Sequence, residues 1–177
     1  DVAFGLLFFF LINTVQQGIF NILGLQKTDS VLGVYSAYTG TNIVHQGFGA
    51  LVVLVLFSLW TGRGHLMKVL RKAVKGDPTI DDSDEILSYR AAVLLLLGSL
   101  TFMALWLWKS GLPMWITVVY LFLAFIVFVG ITRVVSEGGL AHIFAPMIAS
   151  DFVAANFGTR ALGDTGIVAF AFTYVWA

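Results

Sequence analysis

Between Lys109 and Arg133 the chain places no charged residue. Within that interval, Pro113 to Ile131 alone reaches about 28 Å as an α-helix at ~1.5 Å per residue, close to the ~30 Å of bilayer hydrocarbon. In hydrocarbon every backbone N–H and C=O must be paired inside the protein, so a run of this kind is read as a spanning helix. Composition agrees: 59% of residues are hydrophobic and 11% charged, with a mean hydropathy of +0.92. Soluble domains are nearer half apolar and a quarter charged. The expected fold class is therefore all-α, a polytopic helical integral membrane protein. A net charge of zero excludes a nucleic-acid binder, which needs a basic surplus. With no cysteine, disulfides, thiolate catalysis and Cys-ligated metals are excluded as well.

The hydropathy pattern divides the chain into helices at about 2–17, 31–60, 91–108 and 113–135, a short segment at 140–149 and a cut-off helix at 162–177. The opening run lacks the charged lead and cleavage site of a signal peptide, and the last run is too short to span, so the expectation is a piece of a longer bundle. Asn13, Gln16, Gln17 and Asn21 mark the first helix turning amphipathic, and Asp29 or Ser30 is placed to cap the next. Lys109 to Leu112 reads as a tight hairpin, with Pro113 at a first helical position and Trp106, Trp108 and Trp115 as an aromatic belt.

Residues 61–90 form the longest polar stretch. Lys68, Arg71, Lys72 and Lys75 alternate with apolar residues at three-to-four spacing, which predicts a basic helix on the membrane surface against anionic headgroups. Gly76-Asp77-Pro78 ends it, and Asp82 with Glu85 reads as the opening of the following helix. Arg63, Lys68, Arg71, Lys72, Lys75 and Arg90 lie in this loop against Lys109 in the hairpin, so the positive-inside rule makes the loop cytoplasmic; the expected location is a cell's inner membrane.

Two groups of residues are candidates for chemistry. The first is "GITRVVSEGGLAHIFAP", in which Arg133 and Glu137 fall one helical turn apart, Gly138-Gly139 break the helix, and the mostly apolar ten-residue stretch "LAHIFAPMIA" around Pro146 is too short to cross. A charged pair, a glycine break and a half-length segment are the parts of a discontinuous-helix transport site. They are equally the parts of a membrane edge, with Arg133 snorkelling to the interface. The second is "YSAYTGTNIVHQGFG", where Tyr35, Tyr38, Asn42, His45, Gln46 and Gly49 share an arc of about 100° on a helix. That stripe either lines a solute or ion path or bonds neighbouring helices together. His45 can also serve as an axial ligand to haem or chlorophyll, although the sequence leaves any cofactor unknown. No HExxH, GxSxG or P-loop motif occurs, "GTRALGDTG" reads as a connection between membrane segments, and no nucleophile–base spacing suggests an enzyme.

The stretch from Asp84 to Met147, "DEILSYRAAVLLLLGSLTFMALWLWKSGLPMWITVVYLFLAFIVFVGITRVVSEGGLAHIFAPM", resembles a family of large bacterial multi-spanning proteins of uncharacterised function, with the likeness lying mainly over residues 83–147. The motifs that carry it are Tyr89-Arg90, the Trp108 to Leu112 hairpin, and the Gly130 to Gly139 break. The resemblance implies a permease-like protein of a dozen or so helices and names no substrate. On this reading Asn42, His45, Gln46, Arg133, Glu137, Gly138 and Gly139 line a path for a small polar or charged solute or for protons. The rival reading is a non-catalytic structural subunit of a respiratory or photosynthetic membrane complex. The expected partners are the bilayer and further helices of the same protein or of other subunits.

Overall fold

A computed structural model describes residues 2–24, 41–77, 81–83, 85–139, 141 and 143–173. The described residues form seven helices and no strand: α1 (Val2–Ile22), α2 (Thr41–Thr61), α3 (Arg63–Lys75), α4 (Tyr89–Lys109), α5 (Met114–Gly138), α6 (Ala149–Phe157) and α7 (Thr159–Thr173). Four of them, α1, α2, α4 and α5, are long and apolar enough to cross a membrane. The protein is a helical membrane protein.

The helix ends follow local chemistry. Ser88 caps α4, its hydroxyl accepting from the Ala91 N–H at 3.4 Å. Asp82 does not open this helix as the sequence suggests; α4 begins at Tyr89. The carboxylate instead reaches it through space, accepting from the Tyr89 N–H at 3.1 Å and meeting Lys72 Nζ at 3.5 Å. One side chain thus ties the end of α3 to the start of α4. Beside it, Asp81 accepts from the Ser83 N–H at 3.0 Å, and that hydrogen bond holds the Asp81 carboxyl below its ordinary value. Pro113 stands just before α5, and Gly76 and Gly139 close α3 and α5 in the left-handed conformation.

α5 is the central element, packing against α2, α4 and α6, while α7 continues from α6. α2 contributes Val44, Phe48, Leu51 and Val55, spaced four, three and four residues apart, so one stripe of the helix faces the core. Leu51 and Gly130 set the closest α2–α5 approach: a Cβ on Gly130 would lie 2.5 Å from Leu51 Cδ1. Lipid tails are as apolar as leucine, so spanning helices associate through close packing of this kind rather than through release of water. α1 contrasts with this core. The window of α1 that spans has no buried residue, and its face from Phe4 to Leu11 is exposed.

Several boundaries differ from those read in the sequence. α1 continues through Asn13, Gln16 and Gln17 to Ile22, because polar side chains on an exposed helix leave its backbone ladder intact. No helix occupies 143–148; the helical segment starts at Ala149, beyond Pro146, whose missing N–H and ring oppose a helix that runs through it from 143. "GTRALGDTG" is largely helical within α7, which is kinked at Gly163. Asp29, Ser30, Tyr35, Tyr38 and His142 lie outside the described residues.

Candidate functional site

α2 and α5 run in the same direction. Leu51 meets Gly130, and Ser58, further along α2, accepts a hydrogen bond from the Arg133 guanidinium, further along α5. Arg133 Nε also donates to Glu137 Oε1 at 2.7 Å, completing the pair that the sequence spacing permits. The Ser58 hydroxyl in turn donates a hydrogen bond to the Leu54 carbonyl. The Arg133–Glu137 pair is partly open, with side-chain exposures of 38% and 62%.

Beyond this pair the chain turns back. Gly139, with φ of 61°, ends α5, a conformation that a side chain would strain. Pro146 then lies against Gly47: a Cβ on Gly47 would fall 3.0 Å from the Pro146 Cβ. Gly47 precedes Ser58 by about 17 Å along the α2 axis, at ~1.5 Å per residue. An extended chain advances at most about 3.3–3.6 Å per residue, so the residues between Gly139 and Pro146 suffice for the return. The described residues from 143 to 148 carry no helix. Ala145 and Met147 are buried against the bundle, whereas Phe144 is 71% exposed.

The returning segment feeds α6, a nine-residue helix of about 13 Å, far short of a crossing. Ala149, Ser150, Asp151 and Val153 are buried there, and Asp151 is 0% exposed. Its carboxylate stands in the first turn, where the helix dipole favours negative charge. Phe152 stacks on Phe48 with ring centroids 4.8 Å apart, and Asn156 Nδ2 lies 3.4 Å from His45 Nε2. Phe157 meets Trp115 edge-on at 5.4 Å, next to the start of α5. Thr117, also fully buried, donates its hydroxyl proton to the Pro113 carbonyl at 3.2 Å.

The sequence-derived candidates thus fall into two separate places. Arg133, Glu137, Gly138 and Gly139 cluster at the ends of α5 and α2. His45 sits near the other end of α2, half-buried, turned toward Asn156 and Phe152, with Gln46 and Gly49 on the exposed side. Asn42 belongs to α2, but its side chain lies outside the described residues. Axial ligation through Nε2 of His45 would compete with its contact to Asn156. Sequence reasoning passed over Asp151, Ser150 and Asn156. The available signal was Asp151 itself, an acid isolated in the apolar stretch "MIASDFVAANF", and an acid within a membrane segment is a functional candidate by default.

No curated protein matches the chain, and no solved structure does either. A model of an uncharacterised family matches residues 1–177, a longer stretch than the 83–147 over which a resemblance is read in the sequence. The chain belongs to that family, DUF6785, a family of unknown function.

Proposed function

We propose that this protein is a permease-like membrane protein that moves a small polar or charged solute, or protons, past the broken element between α5 and α6. The observation that supports this most is the non-helical segment leading to Pro146, lying at the depth of Gly47 within the span of α2. Irregular backbone at membrane depth is tolerated where it is buried in protein or lines a water-filled cavity, and broken helices of this kind build transporter sites. In this reading the Arg133–Glu137 pair guards the end where α2 and α5 finish, binding an anionic group or gating. Asp151 and the His45–Asn156 contact supply polar partners deeper in. Gly138 and Gly139 free backbone groups for the solute, and Asn42 and Gln46 extend the path along α2. The protein acts without covalent chemistry, in a bacterial inner membrane, with residues 61–90 on the cytoplasmic side and further helices completing the bundle.

The test is flux in vesicles reconstituted with the full-length protein. Protons are followed with an internal pH dye, and small sugars, amino acids and organic anions by osmotic swelling. Flux that is lost in Arg133→Ala and in Asp151→Asn, with folded protein retained, supports the assignment. Full flux in either variant removes that residue from the path.

A structural subunit of a larger membrane complex is the second reading. It is favoured by α1, whose spanning window has no buried residue and whose apolar face is open along its length. Undiminished assembly of a multisubunit complex, with no flux for any of these solutes, is what that reading expects.

A further inference from the structure

α3 is amphipathic in a way that neither the core nor a transport path uses. At 100° per residue, Val69, Ala73, Leu66, Leu70, Val74 and Met67 fall on one arc, and Arg71, Lys75, Lys68 and Lys72 on the other. The packing against α4 consumes only one side. His65 stands edge-on to Tyr89 at 5.8 Å, Val69 and Ala73 are half-buried, and Lys72 turns to Asp82. Leu66, Met67, Leu70 and Val74 remain exposed, Val74 at 76%, and no residue of α3 is fully buried. Lys68, Arg71 and Lys75 stand exposed beside them.

The location of α3 decides what covers this surface. A single residue, Gly62, separates it from the end of the α2 span at Thr61, and the α4 span starts at Tyr89, in contact with α3. Both ends of α3 are therefore held at one boundary of the membrane. Arg63 stacks over the Trp60 ring at 4.7 Å, a pairing that suits the headgroup level, where tryptophan concentrates. An exposed apolar arc bordered by three cations at that boundary complements a surface that is apolar below and anionic above. We propose that this arc of α3 is a docking surface for anionic phospholipid, with Leu70 and Val74 entering the acyl boundary and Lys68, Arg71 and Lys75 meeting headgroup phosphates. Lys72 takes no share in this, because Asp82 holds it. The proposal is independent of whether the protein transports.

The experiment uses the cysteine-free chain, carrying Val74→Cys labelled with an environment-sensitive fluorophore. The labelled protein is placed in phosphatidylcholine vesicles with and without phosphatidylglycerol. Quenching by brominated phosphatidylglycerol and by brominated phosphatidylcholine gives the preference of the α3 surface for the anionic lipid. A label that reports an apolar setting and prefers phosphatidylglycerol is the expected result. Each basic residue near an anionic surface is worth about 1 kcal/mol, or about fivefold. The combined Lys68→Gln, Arg71→Gln and Lys75→Gln variant should therefore lower the preference at least about fivefold, while Lys109→Gln leaves it unchanged. Added salt should lower it in the unsubstituted chain as well, which decides the matter even if the triple variant does not fold. A label in water in both kinds of vesicle, as a soluble protein partner would require, overturns the proposal. So does a preference indifferent to salt.

Discussion

Pro146 packs on Gly47, close enough that a Cβ on the glycine would lie 3.0 Å from the proline Cβ. This contact fixes where the chain goes after α5. Arg133, near the end of α5, bonds Ser58 near the end of α2, yet Pro146 has returned to the other half of α2. The residues described from 143 to 148 carry no helix, and the short α6 follows them. The fold therefore places irregular chain beside two spanning helices, the arrangement that distinguishes this bundle from a plain set of crossings.

The Gly130–Leu51 contact predicts a specific packing defect. Gly130→Ala adds a Cβ that meets Leu51 Cδ1 at 2.5 Å in a region where Leu51 is itself buried. Overpacking of this kind costs about 1–3 kcal/mol. Thermal unfolding in detergent should show the loss, and Leu51→Ala in the same chain should restore part of it. Simple addition of the two single losses would mean that the helices are not held by this contact.

Asp82 predicts a graded response. Asp82→Asn keeps an oxygen for the Tyr89 N–H but removes the charge opposite Lys72. Both partners are partly open to solvent, so the loss should be at most about 1 kcal/mol. Asp82→Ala removes the acceptor too and should cost more, by about the ~1 kcal/mol of a lost helix cap. Hydrogen exchange at the Tyr89 amide reads the difference directly: slow in the parent, little changed in Asp82→Asn and faster in Asp82→Ala.

Asn156→Ala separates bonding between helices from lining of a path. Hydrogen bonds between membrane helices average only about 0.6 kcal/mol, so loss of the His45 contact should lower stability slightly. A His45→Ala, Asn156→Ala double variant should lose less than the sum of the single losses. If the pair also serves a path, flux changes in Asn156→Ala out of proportion to this small loss of stability; if it only joins α2 to α6, flux follows stability.

The spanning helices were legible in the sequence because hydropathy over a long window is a local property: α4 and α5 lie within a few residues of the expected 91–108 and 113–135. The Arg133–Glu137 pair was legible for the same reason, since one helical turn fixes it. What was not legible depends on contacts between distant residues. Asp82 looks like the start of a helix because its position relative to Glu85 mimics a cap, whereas its actual role spans seven positions to Tyr89 and back to Lys72. The placement of Pro146 has no periodic signature at all, since its neighbour Gly47 lies on another helix. Burial of Asp151 likewise comes from α6 docking into the bundle, which no window of local sequence reports.

On the proposed function, the segment between α5 and α6 runs at membrane depth beside a hydrated path. The most direct measurement of this is a cysteine scan of residues 141–148 in the full-length protein in sealed vesicles, read with a membrane-impermeant thiol reagent. Labelling is expected to extend past Gly139 to positions level with Gly47, Phe144 among them, with Ala145 and Met147 protected. Labelling that stops at Gly139, with every deeper position silent, would contradict the proposed function and leave the Arg133–Glu137 pair as a membrane edge.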